Sequence, residues 1–198
     1  MRRITVLAAA AALVATAQSV SAQTPQFALE VRGGYAIPTG DWNEDDTFEN
    51  GFGFGASAIA MVTPQIGVYA GWESFTFNVE EDEEGVEADA TDVGFRGGVT
   101  VNVPLAASPN LTPFVELGAL YNKLEISASG DGASIEIESE SSLGFEVGAG
   151  VDVSLGQRLS VVPVVRYRQH AVEFEDIDSE DSEDISYVVV GVGLRLRM

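Results

Sequence analysis

Residues 143–155 read LGFEVGAGVDVSL and alternate strictly between two kinds of side chain. The apolar positions are Leu143, Phe145, Val147, Ala149, Val151, Val153 and Leu155. The positions between them carry glycine, Glu146, Asp152 and Ser154. A period of two residues predicts a β-strand, because successive side chains of a strand point to opposite faces. The two faces of this strand therefore lie in very different surroundings.

Seven further segments show the same alternation, and together they predict the fold class. They cover residues 27–35, 52–60, 66–73, 92–102, 115–122, 159–168 and 188–197. Bacterial outer-membrane barrels of one chain have an even number of antiparallel strands. We therefore predict an all-β fold: an eight-stranded antiparallel up-and-down transmembrane β-barrel.

The connections between these segments alternate in length. Short ones fall near residues 63–65, 105–110 and 156–158, and long ones near residues 37–50, 80–91, 127–139 and 174–184. This order places both chain termini at the end with the short turns. In outer-membrane barrels the short turns face the periplasm and the long loops face outward.

The N-terminal residues have the pattern of a secretory signal peptide. Arg2 and Arg3 precede an apolar, alanine-rich run at residues 4–17, and small residues at 19–22 resemble a cleavage site. We expect a signal peptide over residues 1–22 and a barrel domain over residues 23–198. No later run reaches 18 consecutive apolar residues, so a mature chain in a membrane would cross it as a closed barrel.

Composition excludes several classes of function. The chain of 198 residues has no cysteine, which rules out disulfides, thiolate metal sites and a cysteine nucleophile. Its formal net charge of −21 repels nucleic acid phosphates, so nucleic acid is not an expected partner.

A soluble barrel of the lipocalin kind would show the same two faces with their roles exchanged. Glycine favours the membrane alternative, because it has poor strand propensity and gains little on a solvated exterior. Inside a narrow barrel it makes room for large neighbours. The polar face carries these glycines: Gly34, Gly51, Gly53, Gly55, Gly67, Gly71, Gly94, Gly98, Gly118, Gly144, Gly148, Gly150, Gly191 and Gly193. Aromatic residues near strand ends on the apolar face, such as Phe27 and Trp72, resemble an interfacial girdle.

The chain resembles a known family in several of its segments. They are the N-terminal signal pattern, FALEVRGGYAIPTGDW at 27–42, TPFVELGALY at 112–121 and the arginine-bearing last strand. These features are similar to the small eight-stranded barrels of the OmpA and OmpX type. The resemblance implies residence among outer-membrane lipids and assembly by the barrel-assembly machinery with periplasmic chaperones. We also expect a monomer, and no periplasmic domain after the barrel, because the given sequence stops with the last predicted strand. Members commonly end in an aromatic residue that this machinery recognises, whereas this chain ends in Met198.

Charged residues are divided between the predicted lumen and the predicted loops. Six acids occupy inward positions: Glu30, Glu73, Asp92, Glu116, Glu146 and Asp152. Six arginines do the same: Arg32, Arg96, Arg166, Arg168, Arg195 and Arg197. Buried charges are tolerable only when paired, and eight strands leave an interior that side chains can fill. We therefore expect a plugged lumen, and the alternative is a narrow cation-selective, porin-like channel.

The other 25 of the 31 acids lie in or beside the long loops. Candidate cation ligands are Glu80, Glu81, Asp82, Glu83, Glu84, Asp176, Asp178, Glu180 and Asp181. Three interpretations stay open: a solvated exterior, binding of divalent cations such as Ca²⁺ or Mg²⁺, and adhesion to a basic surface ligand. DIDSEDSED at 176–184 lacks the central glycine and the final spaced glutamate of an EF-hand loop.

Signals for an enzyme are weak. Some outer-membrane barrels modify lipids, and the deacylases among them resemble serine hydrolases with a His-x-Ser motif. The one histidine, His170, is followed by Ala171 and Val172, so this motif is absent. His170 is within possible reach of Ser142 or Ser186 on neighbouring strands, but it is more simply a lumen residue near the outer rim. We expect no catalysis and no cofactor, and a role in envelope structure or surface interaction; a lipid-modifying enzyme is the least favoured alternative.

Overall fold

A computed structural model of the chain describes residues 26–40, 48–79, 86–130, 133–172 and 183–198. These residues form nine strands. They are β1 Gln26–Thr39, β2 Gly51–Met61, β3 Ile66–Asn78, β4 Val86–Asn102, β5 Leu111–Gly130, β6 Ala133–Glu138, β7 Ser142–Ser154, β8 Leu159–Val172 and β9 Glu183–Arg197. No helix in the described residues is long and apolar enough to cross a membrane.

Eight of the strands close into an antiparallel barrel, which confirms the predicted fold class. Each pairs with its neighbours along the chain, β5 pairs directly with β7, and β1 pairs with β9 to close the ring. β6 stands apart from this ring. Among the described residues it pairs with the outer part of β5, so that β4, β5 and β6 rise above the barrel as an arm.

β6 and β7 are one strand interrupted by a bulge. Glu125 pairs with Glu138 and Asn122 pairs with Ser142, so three residues of one strand oppose two of the other. The Ser139 hydroxyl accepts a hydrogen bond from the Leu124 amide at 2.8 Å, and the Ser139 amide donates to the Leu124 carbonyl at 2.8 Å. The bulge thus keeps backbone groups paired where the ladder loses its register.

The predicted faces of the eight strands agree with the structure. Leu143 and Phe52 on the outer surface are 76% and 68% exposed, whereas Glu146 and Gly53 on the same two strands are buried. An exposed apolar belt of this kind suits hydrocarbon rather than water. The inward surface contains the twelve predicted lumen charges and most of the glycines.

The loop boundaries expected from the sequence were wrong at three connections. The segment expected as a loop at 127–139 is a hairpin of β5 and β6, with strand structure on both sides of residues 131–132. β4 begins at Val86 and β9 at Glu183, inside two other expected loops. The physical reason is that main-chain pairing between neighbours continues above the membrane, into segments whose many acidic and small residues resemble a solvated loop.

Inward glycines lie beside the bulkiest inward side chains. A Cβ atom at Gly51 would lie within 2.6 Å of the Phe77 ring, and one at Gly148 within 2.6 Å of the Arg166 side chain. On β3, Glu73 lies across from Gly55. Several of the largest side chains in the narrow lumen therefore occupy the space that a glycine on the paired strand leaves open.

Candidate functional site: the charged lumen

The strand register brings the inward charges together along the barrel axis, beginning at the short-turn end. On β9, Arg197 donates to Asp152 at 2.5 Å and to the Ser154 hydroxyl at 3.3 Å. Arg195 donates to the other oxygen of Asp152 at 3.0 Å and to Glu30 at 2.7 Å. Through Asp152 and Glu30, the last strand is therefore connected to β7 on one side and to β1 on the other.

In the middle of the lumen, two arginines continue the network of ion pairs. Arg32 pairs with Glu30 beside it on β1 and donates to both oxygens of Glu116 at 3.4 Å. Arg96 of β4 donates to Glu116 at 3.0 Å and to Glu146 at 2.7 Å. Four strands that are not all neighbours are thus connected across the barrel.

The network continues toward the loop end. Arg166 donates to both oxygens of Glu73, at 2.9 and 2.7 Å. Arg168 lies 3.6 Å from Glu73 and donates to the Tyr187 hydroxyl at 2.7 Å. The Tyr187 hydroxyl in turn donates to Asp92. All twelve predicted lumen charges therefore lie on the inner face and belong to one connected set.

Aromatic rings pack against several of the guanidinium groups. The Arg96 guanidinium lies 4.4 Å from the centre of the Tyr69 ring, whose hydroxyl donates to Glu146 at 2.7 Å. Arg195 lies 5.4 Å from the centre of the Phe114 ring. Such contacts with aromatic faces stabilise a desolvated cation.

Burial separates one member from the rest of the set. The side chain of Arg197 is 32% exposed, whereas those of the other eleven charged residues are at most 7% exposed. Removing one partner of a buried ion pair costs about 3–5 kcal/mol, because the other charge stays buried without compensation. The six positive and six negative charges are therefore mutually dependent.

An apolar cluster above the charges was missed in the sequence analysis. Phe75, Phe77, Tyr187, Ile185 and Val172 are each at most 3% exposed and close the lumen at the loop end. The rings of Phe77 and Tyr187 meet edge to face with 5.2 Å between their centres. The alternation of side chains along β3 could have revealed this cluster, because Phe75 and Phe77 lie on the same inward face as Glu73.

His170 pairs with Ile185 of this cluster and lies between a serine and an acid. Its Nδ1 atom is 3.2 Å from the Ser142 hydroxyl, and its Nε2 atom is 3.3 Å from Asp92. The Ser142 hydroxyl donates to the backbone carbonyl of Ala171, while Ser186 bonds instead to Thr39. The imidazole is 2% exposed.

The nine candidate cation ligands of the loops, at 80–84 and 176–181, lie outside the described residues, as do the expected signal peptide and cleavage site.

Metal-ligand geometry does not occur in the part of the chain that the structure describes: no group of three or more acidic or histidine side chains there could hold an ion.

Above the belt, Lys123 pairs with Glu125 at 2.7 Å and Glu138 at 3.0 Å on the exposed face of the arm. The hydrogen bonds that its ammonium group donates to Glu125 and Glu138 raise the pKa of Lys123.

A closed eight-stranded barrel with a lipid-facing apolar belt and a polar, filled interior defines a small integral protein of the bacterial outer membrane. The family model described as outer membrane protein beta-barrel domain matches residues 7–197, so the chain belongs to this family. Among curated proteins, no sequence matches the chain significantly.

Solved structures of small barrels share the fold at low sequence identity. Neisserial surface protein A is 13% identical, with a TM-score of 0.60 over 87% of this chain and 97% of that one. A major outer membrane protein from Thermus thermophilus is 14% identical, with a TM-score of 0.58 over 89% and 100%. Ail, the attachment invasion locus protein of Yersinia pestis, is 15% identical, with a TM-score of 0.51 over 88% and 100%.

Proposed function

We propose that this outer-membrane protein is a non-enzymatic barrel with a sealed lumen that serves envelope structure and surface interaction. The observation that carries the proposal is the connected set of twelve lumen charges beneath an apolar cluster. A conducting pore needs a continuous aqueous path, and here the inward side chains pair with one another across the barrel. Eight strands leave little space beyond that.

The arrangement at His170 supports a structural role for the imidazole rather than catalysis. A nucleophilic serine needs its base to accept the hydroxyl proton, but the Ser142 hydroxyl donates to the Ala171 carbonyl. Asp92 also accepts from Asn122 at 2.8 Å and from Tyr187, so its lone pairs serve several partners. These contacts fit a buried hydrogen-bond cluster beneath the outer rim.

The surface role is proposed from charge. Ail was solved in complex with sucrose octasulfate, a heparin analogue and a polyanion. This chain carries a net charge of −21, with most acids in or beside its predicted outer loops, and would repel such a ligand. Divalent cations or a basic surface ligand are therefore the partners that its exterior favours.

Conductance in planar bilayers tests the sealed lumen. The wild-type protein should be silent or flicker rarely, and large, steady, cation-selective currents would contradict the proposal and indicate a narrow channel. Arg96→Ala removes the cation that contacts Glu116 and Glu146, so this variant should conduct cations and show that the assay detects an open barrel. Lys123→Ala, outside the lumen, should stay silent, and a heat-modifiable gel band should establish that each variant is folded.

A further inference from the structure

The alternating order of charges in the lumen ends with a cation at the short-turn mouth. Arg195 lies between two carboxylates, Asp152 and Glu30, with bonds of 3.0 and 2.7 Å. Among the described residues, Arg197 has Asp152 as its one carboxylate partner. Its guanidinium is therefore compensated on one side and open to solvent on the other.

A cavity of about 280 Å³ opens at the same mouth, which faces the periplasm in a barrel of this kind. Arg195, Arg197 and Asp152 line its polar side, and Ile59 and Met61 line its apolar side. Asn102 and Thr112 also line this cavity. The Asn102 side-chain oxygen has no hydrogen-bond partner among the described residues.

The surroundings of this cavity are poor in acids, although the chain as a whole is strongly acidic. The three short connections at 62–65, 103–110 and 155–158 contain no aspartate or glutamate. Arg158 lies in the third, and its carbonyl accepts a hydrogen bond of 2.7 Å from the Arg197 amide. Arginine is thus the dominant charge at this end of the barrel.

We propose that this cavity binds the carboxylate end of a short aliphatic peptide in the periplasm. An arginine fork recognises a planar carboxylate through two parallel hydrogen bonds, and the exposed side of Arg197 is free to form them. The cavity has room for about one terminal residue, and Ile59 and Met61 supply an apolar wall for its side chain. Lipid headgroups surround the outside of the barrel, whereas this cavity lies within its mouth, so a soluble peptide fits it better. The inference goes beyond the proposed function and does not depend on the lumen being sealed.

Nuclear magnetic resonance of the full-length barrel in neutral detergent provides the test. Acetyl-alanyl-alanine serves as the probe and its C-terminal amide as the uncharged match. The acid should produce saturable shifts at the backbone amides of Arg197, Asn102 and Thr112, and the amide should produce far smaller ones. Arg197→Gln should weaken binding by about tenfold or more, the effect of losing a charge-assisted hydrogen-bond pair. Arg158→Gln is the control, since this arginine does not line the cavity, and it should bind the acid as the wild-type protein does.

Three outcomes would overturn the proposal. Equal binding of the acid and the amide would leave no role for the cation. Inorganic phosphate binding as tightly as the peptide would indicate a general oxyanion site. A response confined to vesicles that contain phosphatidylglycerol would assign the mouth to lipid. Because the acid and the amide are compared on the wild-type protein, the test stands even if Arg197→Gln fails to fold.

Discussion

Single residues in the lumen are constrained by close approach across the barrel. Tyr69 shows this most clearly, because its ring lies beneath Arg96 and its hydroxyl reaches Glu146. The hydroxyl lies directly over Gly98 of β4 and Gly118 of β5. Both positions require glycine, because a Cβ atom at either one would overlap the Tyr69 hydroxyl.

We expect Gly118→Ala to destabilise the barrel by about 1–3 kcal/mol, as overpacking in a filled interior does. A Cβ atom at Gly118 would overlap the Tyr69 hydroxyl and lie 2.9 Å from the Gly97 carbonyl oxygen. Gly33→Ala is the matched control on the lipid face, where the nearest atom is 3.7 Å away. Urea unfolding of both variants in lipid vesicles measures the difference, and equal stability would contradict the packing argument.

Among the elements, the arm of β4, β5 and β6 differs most from the membrane-spanning barrel. On the side of the arm that continues the lumen wall, Ile135 pairs with Ala128 and Ile137 pairs with Ile126. The bulge at Ser139 separates this arm from β7. The barrel can therefore close without β6, and the hinge between the two parts is a specific set of hydrogen bonds.

Ser139→Ala should loosen this hinge without opening the barrel. The Leu124 amide would lose the hydroxyl that accepts its hydrogen bond, at a cost of about 1–3 kcal/mol for an unpaired buried donor. Hydrogen exchange at Leu124 should become faster, while exchange at Leu117 and Leu120 on the same strand stays slow. Ser141→Ala, at an exposed position, is the control. Unchanged exchange at Leu124 would show that another group replaces the hydroxyl.

At the scale of the whole molecule, charge is strongly segregated. The lumen contains equal numbers of positive and negative groups, and the other acids belong to or lie beside the sequence segments predicted as outer loops. The short-turn end has arginines and few acids. We therefore expect an acidic outer end, opposite a short-turn mouth at which arginines predominate.

Salt should raise the thermal stability of the protein in detergent. The screening length at physiological ionic strength is about 8 Å, so repulsion among acidic loops at a narrow rim survives and added ions weaken it. Replacing Glu80, Glu81, Asp82, Glu83 and Glu84 by their amides should reduce the gain in Tm. Equal gains from calcium, magnesium and sodium chloride at matched ionic strength would indicate screening, whereas a calcium response at low concentration would indicate a cation site. No response to any salt would contradict the idea of repelling loops.

The alternating pattern determined the eight barrel strands and the shared face of the twelve lumen charges, and the glycines on that face favoured a membrane barrel over a soluble one. Side-chain direction in a strand depends on parity alone, so these features follow from local sequence. Which arginine meets which carboxylate was decided by the tertiary structure, because the register between paired strands sets the heights of Arg96 and Glu146 in the lumen. The same holds for the arm of β6, the bulge at Ser139 and the apolar closure by Phe77 and Tyr187. Each of these depends on contacts between residues far apart in the chain, which no single segment contains.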